Sequence, residues 1–210
     1  GILTPKEFIP LWNGAERSPE YKNAVKYLQR RDITRKEILK YGIGYCEEGL
    51  YRYRIIIPSY DKGTTLNYFV GRDYYGGSMK YKNPRVSKDV VGFESMIDWN
   101  QPVILCEGVF DAIAIKRNAI PLFGKTIPPK LLKRFVEYKV KKVYLILDAD
   151  AQKDSMKIVD KLKSYQIEVN MITLEDKDPS ELGFEKTINL IKQKKDSISF
   201  SDMMKMKLGV

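Results

Sequence analysis

Two short apolar runs, each ending in acidic residues and each followed by a helical pattern, limit what this chain can fold into more than any other feature. In PVILCEGVFDAIAIKRNAI, the run Val103 to Cys106 leads to Glu107-Gly108, then to Asp111 and a segment with Ala112, Ile113 and Ile115 at helical spacing. In KKVYLILDADAQKDSMKIVDKLKS, Val143 to Leu147 leads to Asp148 and Asp150, then to a helical segment carrying Met156, Val159 and Leu162. A continuous apolar run followed by an amphipathic helix is the pattern of a βα unit in a buried parallel sheet. In such a sheet the carboxyl ends of the strands share one edge, where ligands bind at the crossover between units. Glu107, Asp148 and Asp150 are therefore expected to converge. Clustered carboxylates repel and lose hydration, and they persist most readily by holding a divalent cation through hard oxygen ligands. An N-cap role explains any one of these acids, but it does not explain Glu107, Asp111, Asp148 and Asp150 together, since Glu caps poorly and one cap does not need two aspartates.

The motifs EGVFD, VYLILDAD and DKDPSE, in that order and spacing, resemble the Toprim domain. That domain is the metal-binding catalytic module of bacterial-type DNA primases, type IA and II topoisomerases and several nucleases. The third motif also reads as plain helix chemistry, with Asp178 as N-cap, Pro179 at the first helical position and Glu181 completing a capping box. The resemblance adds Asp178 as a metal ligand, while Ser180 stands where an acid is often found.

Composition narrows the chemistry further. The chain has 210 residues, room for one α/β domain and a smaller companion, and 43% of them are hydrophobic, enough for a real core. The net charge of +10 suits a polyanionic partner, and also suits a solvated Lys-rich surface. There is no histidine, and the two cysteines, Cys46 and Cys106, are far apart. This excludes Ser-His and Cys-His nucleophile systems and a four-ligand zinc site assembled from Cys and His. The thiols read as reduced core residues of a cytosolic protein, and the resemblance implies that this cytoplasm is bacterial or that of a phage-infected host. No apolar run approaches the ~18 residues of a membrane span and no signal peptide opens the chain. Because it starts at Gly1, the sequence is expected to be a fragment.

In chain order, residues 1 to about 17 read as irregular. A helix starts with Ser18 as N-cap and Pro19 at the first position, and a second is framed by the Thr34/Glu37 capping box, an Ile33/Ile38 staple and Gly42. Arg54 to Ile57 and Thr65 to Val70 read as strands joined by a turn at Asp61-Lys62-Gly63. Residues 52–88 hold eight Lys or Arg against two Asp, and seven tyrosines fall between Tyr51 and Tyr81. Cations interleaved with aromatics suit a single nucleic-acid strand, the former neutralising phosphates and the latter stacking bases; ordinary sheet tyrosines and solvated lysines would give the same composition. Val86 to Gln101 reads as a linker and Ile167 to Thr173 as a last strand. Residues 183–195 read as an amphipathic helix, followed by a Met-rich tail.

Bacterial-type primases place a basic mixed α/β subdomain just before Toprim, and this chain resembles it over roughly residues 20–185. The carrying residues are Ile55 to Pro58, Gly71-Arg72, Lys80-Tyr81-Lys82-Asn83-Pro84, and Arg31 in YLQRRDI, where the family's glycine is Asp32. The resemblance implies an α/β fold: a Toprim domain with a mostly parallel sheet flanked by helices, at 99–183, preceded by a basic subdomain at 1–98 and followed by a helical segment at 184–210. It implies a DNA primase catalytic core that makes short RNA primers on single-stranded DNA by nucleotidyl transfer. Glu107, Asp148 and Asp150 would be catalytic, and Glu107, Asp111, Asp148, Asp150 and Asp178 would hold two Mg²⁺ about 3.5–4 Å apart, with Mn²⁺ able to substitute. Arg72, Lys80, Tyr81, Asn83 and Arg31 would bind template or nucleotide. Implied partners are single-stranded DNA, NTPs, nascent RNA, a replicative helicase and a zinc-binding domain outside this chain. The alternatives are another Toprim enzyme, a nuclease or topoisomerase fragment, or a non-catalytic strand-binding accessory. The Lys, Ile and Tyr richness suits an AT-rich genome, including that of a phage.

Overall fold

The computed structural model describes residues 1–12 and 18–174, and for residues 148, 149, 152, 173 and 174 it describes the backbone alone. The chain divides into two compact units, Gly1–Ser87 and Lys88–Val210.

The first unit holds two helices and an antiparallel sheet. Helix α1 (Pro19–Arg30) begins as its sequence dictates, with the Ser18 hydroxyl accepting from the Tyr21 amide at 3.0 Å and Pro19 in the first turn. Its end is a Schellman motif: Asp32 N–H donates to the Gln29 carbonyl at 3.0 Å and Ile33 N–H to that of Leu28 at 2.9 Å. Asp32 has φ +58°, the left-handed region that explains a glycine at this place in the primase motif. Helix α2 (Arg35–Tyr41) starts where the buried Glu37 carboxylate accepts from the Thr34 amide at 2.9 Å, and stops at Gly42, φ +62°. The sheet runs β1 (Ile9–Pro10), β2 (Gly44–Cys46), β3 (Arg54–Tyr60), β4 (Leu66–Asp73), β5 (Tyr81–Lys82), in that order and antiparallel throughout. Asp61 builds the β3–β4 turn, its Oδ1 accepting from the amides of Gly63 and Thr65. The short strands β1, β2 and β5 had no counterpart in the sequence reading, and β1 lies in a segment expected to be irregular.

The second unit is built on a parallel sheet ordered β7 (Ala119–Pro121), β6 (Val103–Cys106), β8 (Lys142–Asp148), β9 (Glu168–Leu174). Helices α3 (Val109–Ile115), α4 (Pro129–Glu137) and α5 (Gln152–Ser164) make the crossovers. The chain steps from β6 to β7 on one side and then returns past β6 to β8. Right-handed crossovers therefore put α3 on one face and α4 and α5 on the other. Side-chain alternation agrees: Val103, Leu105, Val143, Leu145 and Leu147 share a core with Leu131, Leu132 and Phe135 of α4 and Ile158, Val159 and Leu162 of α5. Within α5, Met156 is 51% exposed and does not join this face, contrary to the sequence reading; the buried stripe is Ser155, Ile158, Val159 and Leu162, continuing from the capping residue Ala151. The stretch expected as a linker is packed instead, with Val91 buried in this core and Ile97 and Trp99 against it. Among the described residues no helix is long and apolar enough to cross a membrane.

Candidate active site and nucleic-acid interface

The reversal of strand order falls between β6 and β8, the two strands that end in acids. Their register pairs Leu105 with Leu145 and Cys106 with Ile146. Continued by one residue, it sets Glu107 level with Leu147 and one residue short of Asp148, a strand spacing of about 4.8 Å away. Asp150 follows in a 3-10 turn, Ala149–Ala151, and is exposed. Glu107 is half-buried with its Oε2 atom fully so. Asp111, 8% exposed in the first turn of α3, accepts from the Gly108 amide at 3.2 Å. Its carboxylate thus caps α3, one of the two readings open from sequence.

Cys106 reports on the charge of this edge. Burial pushes its thiol well above the usual range, and the negative charges of Asp111 and Glu107 push in the same direction. Carboxylate oxygens brought together by strand ends are the donor chemistry a hard divalent cation takes, and a cation there would offset their repulsion. Among the described residues no three acidic or thiol groups stand close enough to form a metal site. Asp178 lies outside the described residues, and Asp148 is described by its backbone only.

The basic residues gather in the first unit. Gly1–Ser87 carries sixteen Lys or Arg against nine Asp or Glu, and Lys88–Val210 twenty-one against eighteen, so seven of the ten net positive charges belong to the smaller unit. Antiparallel pairing sets Arg72 on β4 opposite Tyr81 on β5, with the guanidinium 4.8 Å from the ring centroid, a cation–π contact. The Nε of Arg72 is buried and, among the described residues, has no hydrogen-bond partner. Arg31, at the end of α1, donates from Nε to the Tyr27 hydroxyl at 2.8 Å. Partial burial raises the Tyr81 phenol, while the nearby positive charges of Arg72 and Arg31 act to lower it. Arg72 thus packs on Tyr81, itself 43% exposed, and Arg31 lies near enough for its charge to be felt there.

The other expected contacts divide. Lys80 is exposed beside this cluster. Asn83 is turned to the sheet, its Oδ1 accepting from the Gly71 amide at 3.3 Å and its side chain hydrogen-bonded to Tyr68. Most of the tyrosine-rich composition is structural: Tyr68 and Tyr74 are buried, Tyr51 packs edge-on to Phe69, and Tyr74 and Tyr75 both donate to the Glu20 carboxylate. Two residues that the sequence reading passed over support the cluster. Tyr27 orients Arg31, and Arg54 clamps the β4–β5 connection. The 9% exposed Arg54 guanidinium donates to the carbonyls of Met79 at 3.0 Å, Gly71 at 3.2 Å and Lys80 at 3.3 Å. Its signal was a lone cation heading the apolar run Ile55-Ile56-Ile57.

Comparison with known proteins agrees with these features. Residues 104–183 match the Toprim-like family. "Uncharacterized protein MG010" of Mycoplasma genitalium is 30% identical over 166 residues, covering 73% of each chain. The chain belongs to the family of this Mycoplasma protein. The Mycoplasma pneumoniae homolog of the same protein is 28% identical over 144 residues, 64% of this chain and 67% of its own. Among solved structures, a DnaG primase catalytic domain bound to single-stranded DNA superposes with a TM-score of 0.73 at 18% identity, over 87% of this chain and 77% of that one. The E. coli primase catalytic core gives 0.69 at 18% identity, over 87% and 76%. The fold is that of a DnaG-type primase core, a Toprim domain with an antiparallel sheet before it.

Proposed function

We propose that this chain is a primase catalytic core that synthesises short RNA primers on single-stranded DNA. The observation that carries the reading is the strand-order reversal that brings the Glu107 and Asp148 strand ends side by side. A basic unit in which Arg72 packs on Tyr81, with the charge of Arg31 nearby, supplies the matching polyanion interface. Divalent Mg²⁺, or Mn²⁺ in its place, would neutralise phosphate charge and activate the attacking hydroxyl when bound. Glu107, Asp148, Asp150 and Asp178 would hold it, with Asp111 fixing the turn after β6. Glu107 serves either as a ligand or as the base that takes the proton of the ribose 3′-hydroxyl as it attacks the α-phosphate of the next NTP, the α–β phosphoanhydride bond breaking and pyrophosphate leaving. Arg72, Lys80 and Arg31 hold template or nucleotide phosphates, and Tyr81 offers a ring face to a base. Orientation of the two reactants is the main contribution of this unit to rate. A helicase partner, a separate zinc-binding domain and a cytoplasmic site of action belong to the same proposal, as do a catalytic domain ending near residue 183 and a helical segment at 184–210.

The test separates chemistry from binding. Glu107→Gln and Asp148→Asn should abolish RNA synthesis on a mixed single-stranded template while leaving strand affinity within about twofold. Arg72→Ala and Lys80→Ala should each weaken binding and lower the slope of log K against log salt by about 0.7, the loss of one single-strand phosphate contact. Strand binding that survives all four changes, with no divalent-dependent synthesis to lose, would refute the proposal.

A further inference from the structure

Helix α1 has two polar faces with different fates. One, with Glu20, Asn23, Tyr27 and Arg31, is committed inside the first unit. Glu20 accepts from the Tyr74 and Tyr75 hydroxyls, Asn23 donates to Tyr75 at 2.9 Å, and Tyr27 accepts from Arg31. The other carries Lys22, Lys26 and Arg30, spaced i, i+4, i+8 and all exposed. None of their side chains makes a hydrogen bond or ion pair among the described residues, and no acid shares their stripe, because the only acid of the helix, Glu20, is turned to the tyrosines. At 1.5 Å per residue the three cations stand about 6 Å apart along the axis, comparable to one nucleotide of extended backbone. Arg30 ends the row next in sequence to Arg31, whose charge is felt at Tyr81. A solvated surface helix commonly intersperses acids with its lysines, as α5 does with Asp154 and Asp160, whereas this face has none.

We propose that Lys22, Lys26 and Arg30 form a phosphate track along α1 that extends the interface at Tyr81 and holds the flanking backbone of the single strand. The track reads no sequence, since its three groups are long flexible cations suited to phosphate rather than to base edges. The inference rests on strand binding at the Tyr81 cluster and adds contacts that only a longer strand can reach.

The experiment measures salt-dependent binding of two labelled single-stranded DNAs, one of roughly six and one of roughly sixteen nucleotides. It compares the wild-type chain, the triple variant Lys22→Gln/Lys26→Gln/Arg30→Gln, the single variant Arg72→Ala, and a charge-matched control, Lys153→Gln/Lys157→Gln/Lys161→Gln on α5. Loss of three single-strand phosphate contacts lowers the slope by about 2. Between 50 and 200 mM salt that flattens the affinity change on the long strand by roughly 18-fold. The track predicts this flattening for the α1 variant on the long strand, with the short strand and the α5 control unchanged and the melting temperature of the exposed-site variant preserved. An unaltered long-strand slope in the α1 variant, or equal losses on both lengths or in both triple variants, would overturn the track. In that case weakening by Arg72→Ala would still uphold the Tyr81 interface. If the wild-type chain binds neither strand, the interface fails and the track fails with it.

Discussion

Arg54 offers the sharpest test of how the first unit positions its basic loop. Replacing it by Met keeps most of the aliphatic bulk but removes donors to three carbonyls, those of Met79, Gly71 and Lys80. A hydrogen bond from a charged donor contributes about 1.5–3 kcal/mol net, and a buried acceptor left bare costs about 1–3 kcal/mol. Gly71 is buried and cannot be rehydrated in place, whereas Met79 and Lys80 lie in an exposed stretch and can be. Relief of the desolvated cation returns part of the loss. The expected net destabilisation is about 2–3 kcal/mol, or a fall of roughly 10–20 °C in melting temperature for a unit of this size. Arg54→Lys should recover little of it, because an ammonium cannot reach three carbonyls with one planar fork. Calorimetry gives the global effect, and hydrogen exchange at the Asp73 amide, which donates to the Lys80 carbonyl at 3.0 Å, reports whether the β4–β5 connection stays closed. A variant within about 0.5 kcal/mol of wild type, with the Asp73 amide equally protected, would refute the clamp.

Two further outcomes follow from the described geometry. Asp32 sits at φ +58°, so Asp32→Gly should stabilise the chain by about 0.5–1 kcal/mol and Asp32→Ala should not, as denaturant midpoints will show. Cys46 is fully buried, and burial together with the charge of Glu7 pushes its thiol from an ordinary value near 9 up to about 12. The folded state thus holds this proton more tightly than the unfolded chain, so the stability it lends is intact below about pH 9 and falls by about 1.4 kcal/mol per pH unit between there and pH 12. Alkaline unfolding should be shallower in Cys46→Ala, and both Cys46 and Cys106 should resist thiol reagents at pH 8 until denaturant exposes them.

What could be read from sequence was what local chemistry encodes. Ser18-Pro19, the Thr34/Glu37 pair and Gly42 bound their helices because caps act within one turn. The β3–β4 hairpin and the βα units around Glu107 and Asp148 were legible because their apolar runs are long enough to show a period. Strands β1, β2 and β5 were not, since two or three residues become a strand only through pairing with a neighbour that the sequence does not name. The α5 face was misread at Met156 because the helix packs closely through the small residues Ala151 and Ser155, which carry little hydrophobic signal. Tyrosine richness overstated the stacking surface, because hydroxyl partners such as Glu20 lie more than fifty residues away in the chain. The packing of Arg72 on Tyr81, with Arg31 near enough for its charge to be felt, is likewise a tertiary event, legible only through family resemblance.

Primer synthesis tests the central claim most directly. The chain and its Asp148→Asn variant would be incubated with a mixed single-stranded DNA template, labelled NTPs and Mg²⁺ or Mn²⁺, and the products resolved by length. Short RNAs that require the divalent ion and vanish in the variant are the predicted result. A template that is bound or cut, with no RNA made by the unaltered chain, would contradict it.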